Sequence, residues 1–227
     1  MVFYQFKPAI NKDFRANYNN KKEDFYLVMR IAADHINSAK ELMENMEAAT
    51  ARDLPYTEDY TNKVRWINLW GEINITNNNL VLSGNNSNAD TTGAMGYLDG
   101  SYLWQNYIYT AKVQEIGAQK IMLLSRFQDS ENYGLCKFSN GRVSIINTKD
   151  SFKTVISEAK LNNQSLIGSQ IGISVQTNLI TCYLNGTPVL SSEVQGMPLN
   201  GGIGLRIEEI NGDHVPTSFG SISVSAM

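Results

Sequence analysis

Two acids placed two residues apart on a strand share one face and could serve as the acid and the nucleophile or base of glycosidic hydrolysis. The nearest arrangement here is EINIT, where Glu72, Asn74 and Thr76 share a face and only the first is an acid. In RIEEI, Glu208 and Glu209 are strand neighbours that point to opposite faces, so they form no dyad. His35 falls in a helical stretch and His214 in a loop near the C-terminus, neither beside a nucleophile or a metal-ligating companion. The chain has no Gly-rich phosphate loop, no Cys/His cluster and no nucleophile elbow. Asp90, Asp99 and Asp129 lack the dense oxygen-ligand spacing of a calcium loop. The expectation is a protein that is not an enzyme and has no catalytic residue, cofactor or metal site.

Binding is easier to place. Aromatic faces stack on sugar rings, and planar amide, carboxylate or guanidinium groups bond to hydroxyls. The loop MGYLDGSY offers Tyr97, Asp99 and Tyr102 together, and the corner RFQDSEN adds Arg126, Asp129 and Asn132. The structural alternative is that the tyrosines cover an edge and Arg126 pairs with Asp129.

Elements that would position these residues follow from the apolar pattern. From Val64 onward, short alternating runs with turn signals between them predict an antiparallel sandwich: VRWINLWGEINIT, NLVLSG, YIYTAKVQEI, QKIMLLSRFQ, NYGLCKFS, RVSIIN, TVISEA, QIGISVQT, LITCYLNGTPVLSS, GGIGLRIEE and SFGSISVSAM. Asn185-Gly186 predicts a type I′ hairpin turn, and SNGR a second tight turn. Gly201, Gly202 and Gly204 would let a strand bend or approach its neighbour closely. Trp104 and Tyr107 read as core anchors. Cys136 and Cys182 lie in apolar runs, where a thiol packs as a small hydrophobe; a disulfide requires their strands to be neighbours.

The N-terminal part differs. Residues 1–24 read as an extended, aromatic-bearing anchoring arm. Residues 25–54 carry an unbroken heptad register on Phe25, Met29, Ala32, Ile36, Ala39, Met43 and Met46, which predicts a coiled-coil helix and suits a homotrimer. An amphipathic helix packed on its own domain shows a similar stripe. Pro55 cannot continue the helix, so 55–65 reads as a linker and 66–227 as the sandwich. A net charge of −3 disfavours nucleic acid, and no apolar stretch is long enough to cross a bilayer or to form a secretory leader.

Several segments resemble, in order, the concanavalin A-like lectin/glucanase sandwich, especially its laminin-G-like bacterial members. NNLVLSG followed by YLWQNYIYTAKV is similar to the opening of that fold. LLSRFQDSENYGLCKF resembles its strand, corner and strand, with Arg126, Asp129, Asn132 and Tyr133 in the R-x-x-D-x-x-N-Y pattern. IGISVQTNLITCYLNGTPVLS resembles its Asn-Gly hairpin, and GGIGLR with SFGSISV its closing strands. The likeness spans residues 66–227 and implies a mainly β, jelly-roll sandwich, which the heptad stretch precedes with one helix.

Arm, coil and lectin-like head together suggest a phage fibre-type virion protein. Its arm would contact other virion proteins and its head a host-surface glycan. The alternative is a carbohydrate-binding module from a secreted bacterial polysaccharide-active enzyme, placed outside the cell or on its surface.

Overall fold

The computed structural model describes residues 52–58, 60, 65–84, 93–139, 141–162, 165–209 and 215–227. All of them fall within the unit Thr50–Met227. The anchoring arm, the heptad positions Phe25 to Met46, Asp90 and both histidines lie outside the described residues.

Fifteen strands are described: β1 (Tyr56–Thr57), β2 (Trp66–Trp70), β3 (Glu72–Thr76), β4 (Asn79–Ser83), β5 (Ala94–Leu98), β6 (Tyr107–Glu115), β7 (Lys120–Asp129), β8 (Asn132–Ser139), β9 (Arg142–Lys149), β10 (Phe152–Lys160), β11 (Gln170–Gln176), β12 (Leu179–Leu184), β13 (Thr187–Glu193), β14 (Gly202–Glu208) and β15 (Thr217–Ala226). They form two antiparallel sheets. The first runs β13-β12-β11-β6-β15-β4-β3, with β1 also on β15; the second runs β10-β9-β8-β7-β14-β5-β2. The two last strands in the chain therefore enter the middle of the sheets, β15 beside β6 and β4, and β14 between β7 and β5.

Local sequence explains the corners. The predicted run VRWINLWGEINIT is two strands in different sheets, divided at Gly71 (φ 70°) where the chain crosses over. Asn185 (φ 51°) and Gly186 (φ 75°) make the expected I′ turn between β12 and β13. Strand β5 was expected to be a loop. AMGYL lacks β-branched residues, but its position between β14 and β2 demands a residue without a side chain at Gly96. A Cβ there would lie 2.1 Å from Ile73 Cδ1 and 2.7 Å from the Ile67 carbonyl oxygen.

One large core fills the space between the sheets, with Tyr107, Phe138, Ile173, Leu205 and Phe219 among its fully enclosed side chains. Trp104 and Tyr107 are core anchors, as expected. Trp104 is held further by its Nε1–H, which donates to the Arg52 carbonyl at 2.6 Å. Tyr56 and Thr57, within the expected linker, pair with Val224 and Ser223 of β15. Behind them, the buried Glu58 carboxylate accepts from Tyr56 Oη (2.6 Å), Trp66 Nε1 (2.9 Å) and the Tyr60 amide (3.0 Å), with Arg65 Nη1 at 4.0 Å. Burial, and then the Glu58 bond, push the Tyr56 hydroxyl well above the ordinary tyrosine range. This polar knot ties the start of the domain to its centre.

Cys136 of β8 and Cys182 of β12 are both fully buried, as expected, but they are not thiols. They form a disulfide between the two sheets, with Cα atoms 5.8 Å apart. Facing strands of a sandwich are neighbours through the core as well as within a sheet, and this pairing is invisible to linear spacing.

Two expected outcomes follow from the packing. Replacing both cysteines by alanine should lower the unfolding free energy by about 4 kcal/mol, the chain-entropy value for a loop of this size. Denaturant titration of the variant against the oxidised parent measures it, and an unchanged midpoint would mean that the bond adds nothing. Glu58→Ala strands the Tyr56 hydroxyl and the Trp66 indole N–H, at roughly 1–3 kcal/mol for each buried group left unpaired. Its melting temperature should therefore fall while the reduced and oxidised forms stay equally separated.

Candidate functional site

The second sheet is apolar on both sides. Along β14, Ile203, Leu205 and Ile207 enter the main core, while Gly204, Arg206 and Glu208 face away from the first sheet. On that outer face Met95, Met122, Leu124, Phe127, Tyr133, Leu135 and Ile146 form a second buried cluster, with Trp70 and Tyr97 packed on it. A sandwich face left to solvent normally alternates to polar residues. Here it is floored with methionine and leucine and roofed with aromatic rings.

The rings make a continuous layer. Tyr97 stacks on Phe127 with centroids 4.8 Å apart and an interplanar angle of 20°, and Phe127 meets Tyr133 at 6.1 Å. The Tyr133 hydroxyl accepts a hydrogen bond from Arg206 Nη1 at 3.1 Å, and the Arg206 guanidinium carbon lies 5.4 Å from the centre of the Trp70 ring. Trp70 and Tyr97 are the half-exposed members, whereas Phe127, Tyr133 and Arg206 are buried under them. Burial, and then the nearby Asp99 charge, raise the Tyr97 hydroxyl.

Among the described residues, three polar atoms enclosed on this face have no protein partner: Trp70 Nε1, Arg206 Nε and Thr148 Oγ1. Buried polar groups nearly always find one. Others without one lie elsewhere, on Tyr109 and Arg126, so it is the half-exposed rings on a buried apolar layer that set this face apart.

At one end of the layer a cleft of about 280 Å³ opens between Gln128, Asp129, Asn132, Tyr133, Thr148 and the Gly196–Pro198 turn. At the other end lies charge. Glu208 bonds to Lys120 Nζ at 2.6 Å and to Arg206 Nη2 at 3.1 Å. Burial pushes the Glu208 carboxyl up, but the Lys120 bond, then Arg206 and Lys153, outweigh it and hold it below the ordinary glutamate range. Glu158, a second carboxylate on this face, is bonded to Arg142 and, at 3.0 Å, to Ser144. Both of these acids are thus engaged by basic residues.

The six sequence-predicted ligand residues separate. Tyr97 belongs to the aromatic layer, on a strand and not on a loop. Asp129 and Asn132 line the cleft, but they also brace the β7–β8 turn: Asp129 Oδ1 accepts from the Glu131 amide (2.8 Å) and from Asn132 Nδ2 (3.0 Å). Asp99 and Tyr102 sit in the turn after β5. There the Asp99 carbonyl accepts from Arg52 Nε at 2.6 Å, and the Tyr102 carbonyl accepts from Asn200 Nδ2 at 3.4 Å.

Arg126 is corrected on two counts. Its exposure is 0%, so it meets no ligand arriving from solvent, and it forms no pair with Asp129. It occupies a bulge at φ 52°, where its amide donates to the Tyr107 hydroxyl (3.0 Å) and Nη2 donates to the Thr177 carbonyl (3.2 Å). The bulge turns the side chain inward, and burial lowers its pKa.

Sequence reasoning missed Trp70, Phe127, Tyr133 and Arg206 as one constellation, since they come from four separate strands. GIGLRIE did carry a signal, because every second residue is apolar and the others are Gly, Gly, Arg and Glu. That pattern places Arg206 and Glu208 together on the face opposite the core.

No protein-family model matches the chain, and no curated protein matches it. Solved structures do. A carbohydrate-binding module, CBM66, from Bacillus subtilis superposes with a TM-score of 0.58 at 15% identity, over 73% of this chain and 98% of the module. A prokaryotic β-1,3-1,4-glucanase (lichenase) derived from a mouse hindgut metagenome gives 0.56 at 13%, over 76% and 99%. A protein of unknown function with a galectin-like fold from Bacillus subtilis gives 0.58 at 12%, over 78% and 98%. At these identities the likeness is one of fold, and the fold is the concanavalin A-like, galectin-like β-sandwich.

Proposed function

We infer that this protein is a carbohydrate-binding module that works outside the cell or at its surface, as part of a polysaccharide-directed system, and that it binds without cleaving. The observation that carries this reading is the outer face of the second sheet. Two half-exposed rings, Trp70 and Tyr97, lie on a rigid buried layer of Phe127, Tyr133 and Arg206, with a cleft at one end. Sugar rings present apolar C–H faces that suit such a platform, and a prearranged platform loses little entropy on binding. The fold neighbours named as a carbohydrate-binding module and a glucanase support the same class of ligand.

Two further observations bear on place and mechanism. An inter-sheet disulfide fits an oxidising compartment. Glycosidic hydrolysis needs one free carboxylate and one protonated acid across the sugar, whereas Glu158 and Glu208 are both engaged with cations, which supports binding over catalysis.

The heptad register on Phe25 to Met46 favours a second reading, the head of a trimeric phage fibre. Light scattering separates the two: a trimeric full chain would favour the fibre, and a monomer the module.

Affinity electrophoresis of the full chain in gels containing a neutral β-glucan, a fructan or a polyuronate tests the binding itself. Retardation in at least one gel is expected. Tyr97→Ala and Trp70→Ala should each weaken it about tenfold, or ~1.4 kcal/mol, with an unchanged circular dichroism spectrum. Free migration in every gel, or variants that bind like the parent, would overturn the assignment.

A further inference from the structure

Beside the aromatic layer, the outer face carries a band of positive charge. The antiparallel registers bring Lys120 of β7, Arg142 of β9, Lys160 of β10 and Glu208 of β14 into one cross-strand row. The next row holds Arg206, Lys137 and Glu158, alongside Met122 and Ser144. Five cations in two adjoining rows face two carboxylates, in a chain whose own net charge is −3.

The imbalance centres on Glu208. Lys120 lies 2.6 Å from it, Arg206 lies 3.1 Å from it, and the Lys153 ammonium, from the edge strand β10, adds to the field that keeps it ionised. Two cations are therefore bonded to one carboxylate, Lys120 from β7 and Arg206 from β14. Among the described residues, Lys137 and Lys160 enter no ion pair. Cations gathered this closely repel one another unless an anion joins them, since charges within about 10 Å interact at 0.1 M salt.

We propose that this face takes an anionic polysaccharide whose sugar rings bear carboxylates, with the rings on Trp70 and Tyr97 and the carboxylates on the Lys120–Lys137–Lys160 side. Glu208 shows the chemistry on a smaller scale: Lys120 and Arg206 already bind its carboxylate. The proposal rests on the reading of this face as a glycan site and adds its charge class. Nucleic acid fits less well. Asp129, Glu131 and Asp150 stand at the two hairpin tips at the cleft end of this face, where a uniformly charged phosphate backbone would meet them.

The test uses the full chain with polygalacturonate, the same polymer fully methyl-esterified, a neutral β-glucan and single-stranded DNA, each at low and high salt. Binding to polygalacturonate that is lost on esterification and weakened by salt is expected. Lys137→Ala/Lys160→Ala, one half-exposed and one exposed position whose loss leaves the core intact, should weaken it about tenfold, and Lys137→Arg/Lys160→Arg should retain it. Equal binding to the esterified polymer, or to DNA, overturns the charge assignment. Binding to the β-glucan alone, dependent on Trp70 and Tyr97, overturns it while leaving the glycan site standing. Binding to none of the polymers removes both.

Discussion

Strand β14 couples the core of this protein to its surface. Leu205 and Arg206 are consecutive, one enclosed between the sheets and the other under Trp70 on the opposite face. A slip of one residue would drive the guanidinium into the core and expel the leucine, a double cost that pins the register. Because β14 lies between β7 and β5, that register is passed to Met122 on one side and Met95 on the other. The aromatic layer is assembled on a scaffold that cannot shift without breaking the core.

That rigidity explains why a binding face can be built from strands. Loops usually carry function because they vary freely, but sites on regular elements hold their geometry better. Trp70, Tyr97, Phe127, Tyr133 and Arg206 come from β2, β5, β7, β8 and β14, and each is positioned by hydrogen bonds of the sheet. The inter-sheet disulfide acts in the same direction by fixing β8, which carries Tyr133, to β12 across the core.

The two sides of the second sheet differ in what they can do. The inner side packs against the first sheet in one large hydrophobic core. The outer side has apolar flooring, aromatic roofing, three enclosed polar atoms without partners among the described residues and an unbalanced group of cations. Half-exposed rings held on a buried apolar layer, beside a row of cations, are the physical basis for reading a ligand into this face.

By itself, the sequence determined the strands with strong alternation, the Asn185-Gly186 turn and the sandwich class, because these depend on short-range periodicity and on backbone conformations that few residues adopt. It also placed Trp104 and Tyr107 in the core. Strand β5 escaped notice because AMGYL has no β-branched residue and carries a glycine at its centre; its neighbours on both sides impose the conformation. Tertiary structure alone decided that Cys136 meets Cys182 through the core, that the bulge at Arg126 turns a polar corner residue inward, and that Tyr97 joins rings from three other strands. Each of these depends on which strands lie side by side or face each other across the core, a long-range relation that the order of residues along the chain does not display.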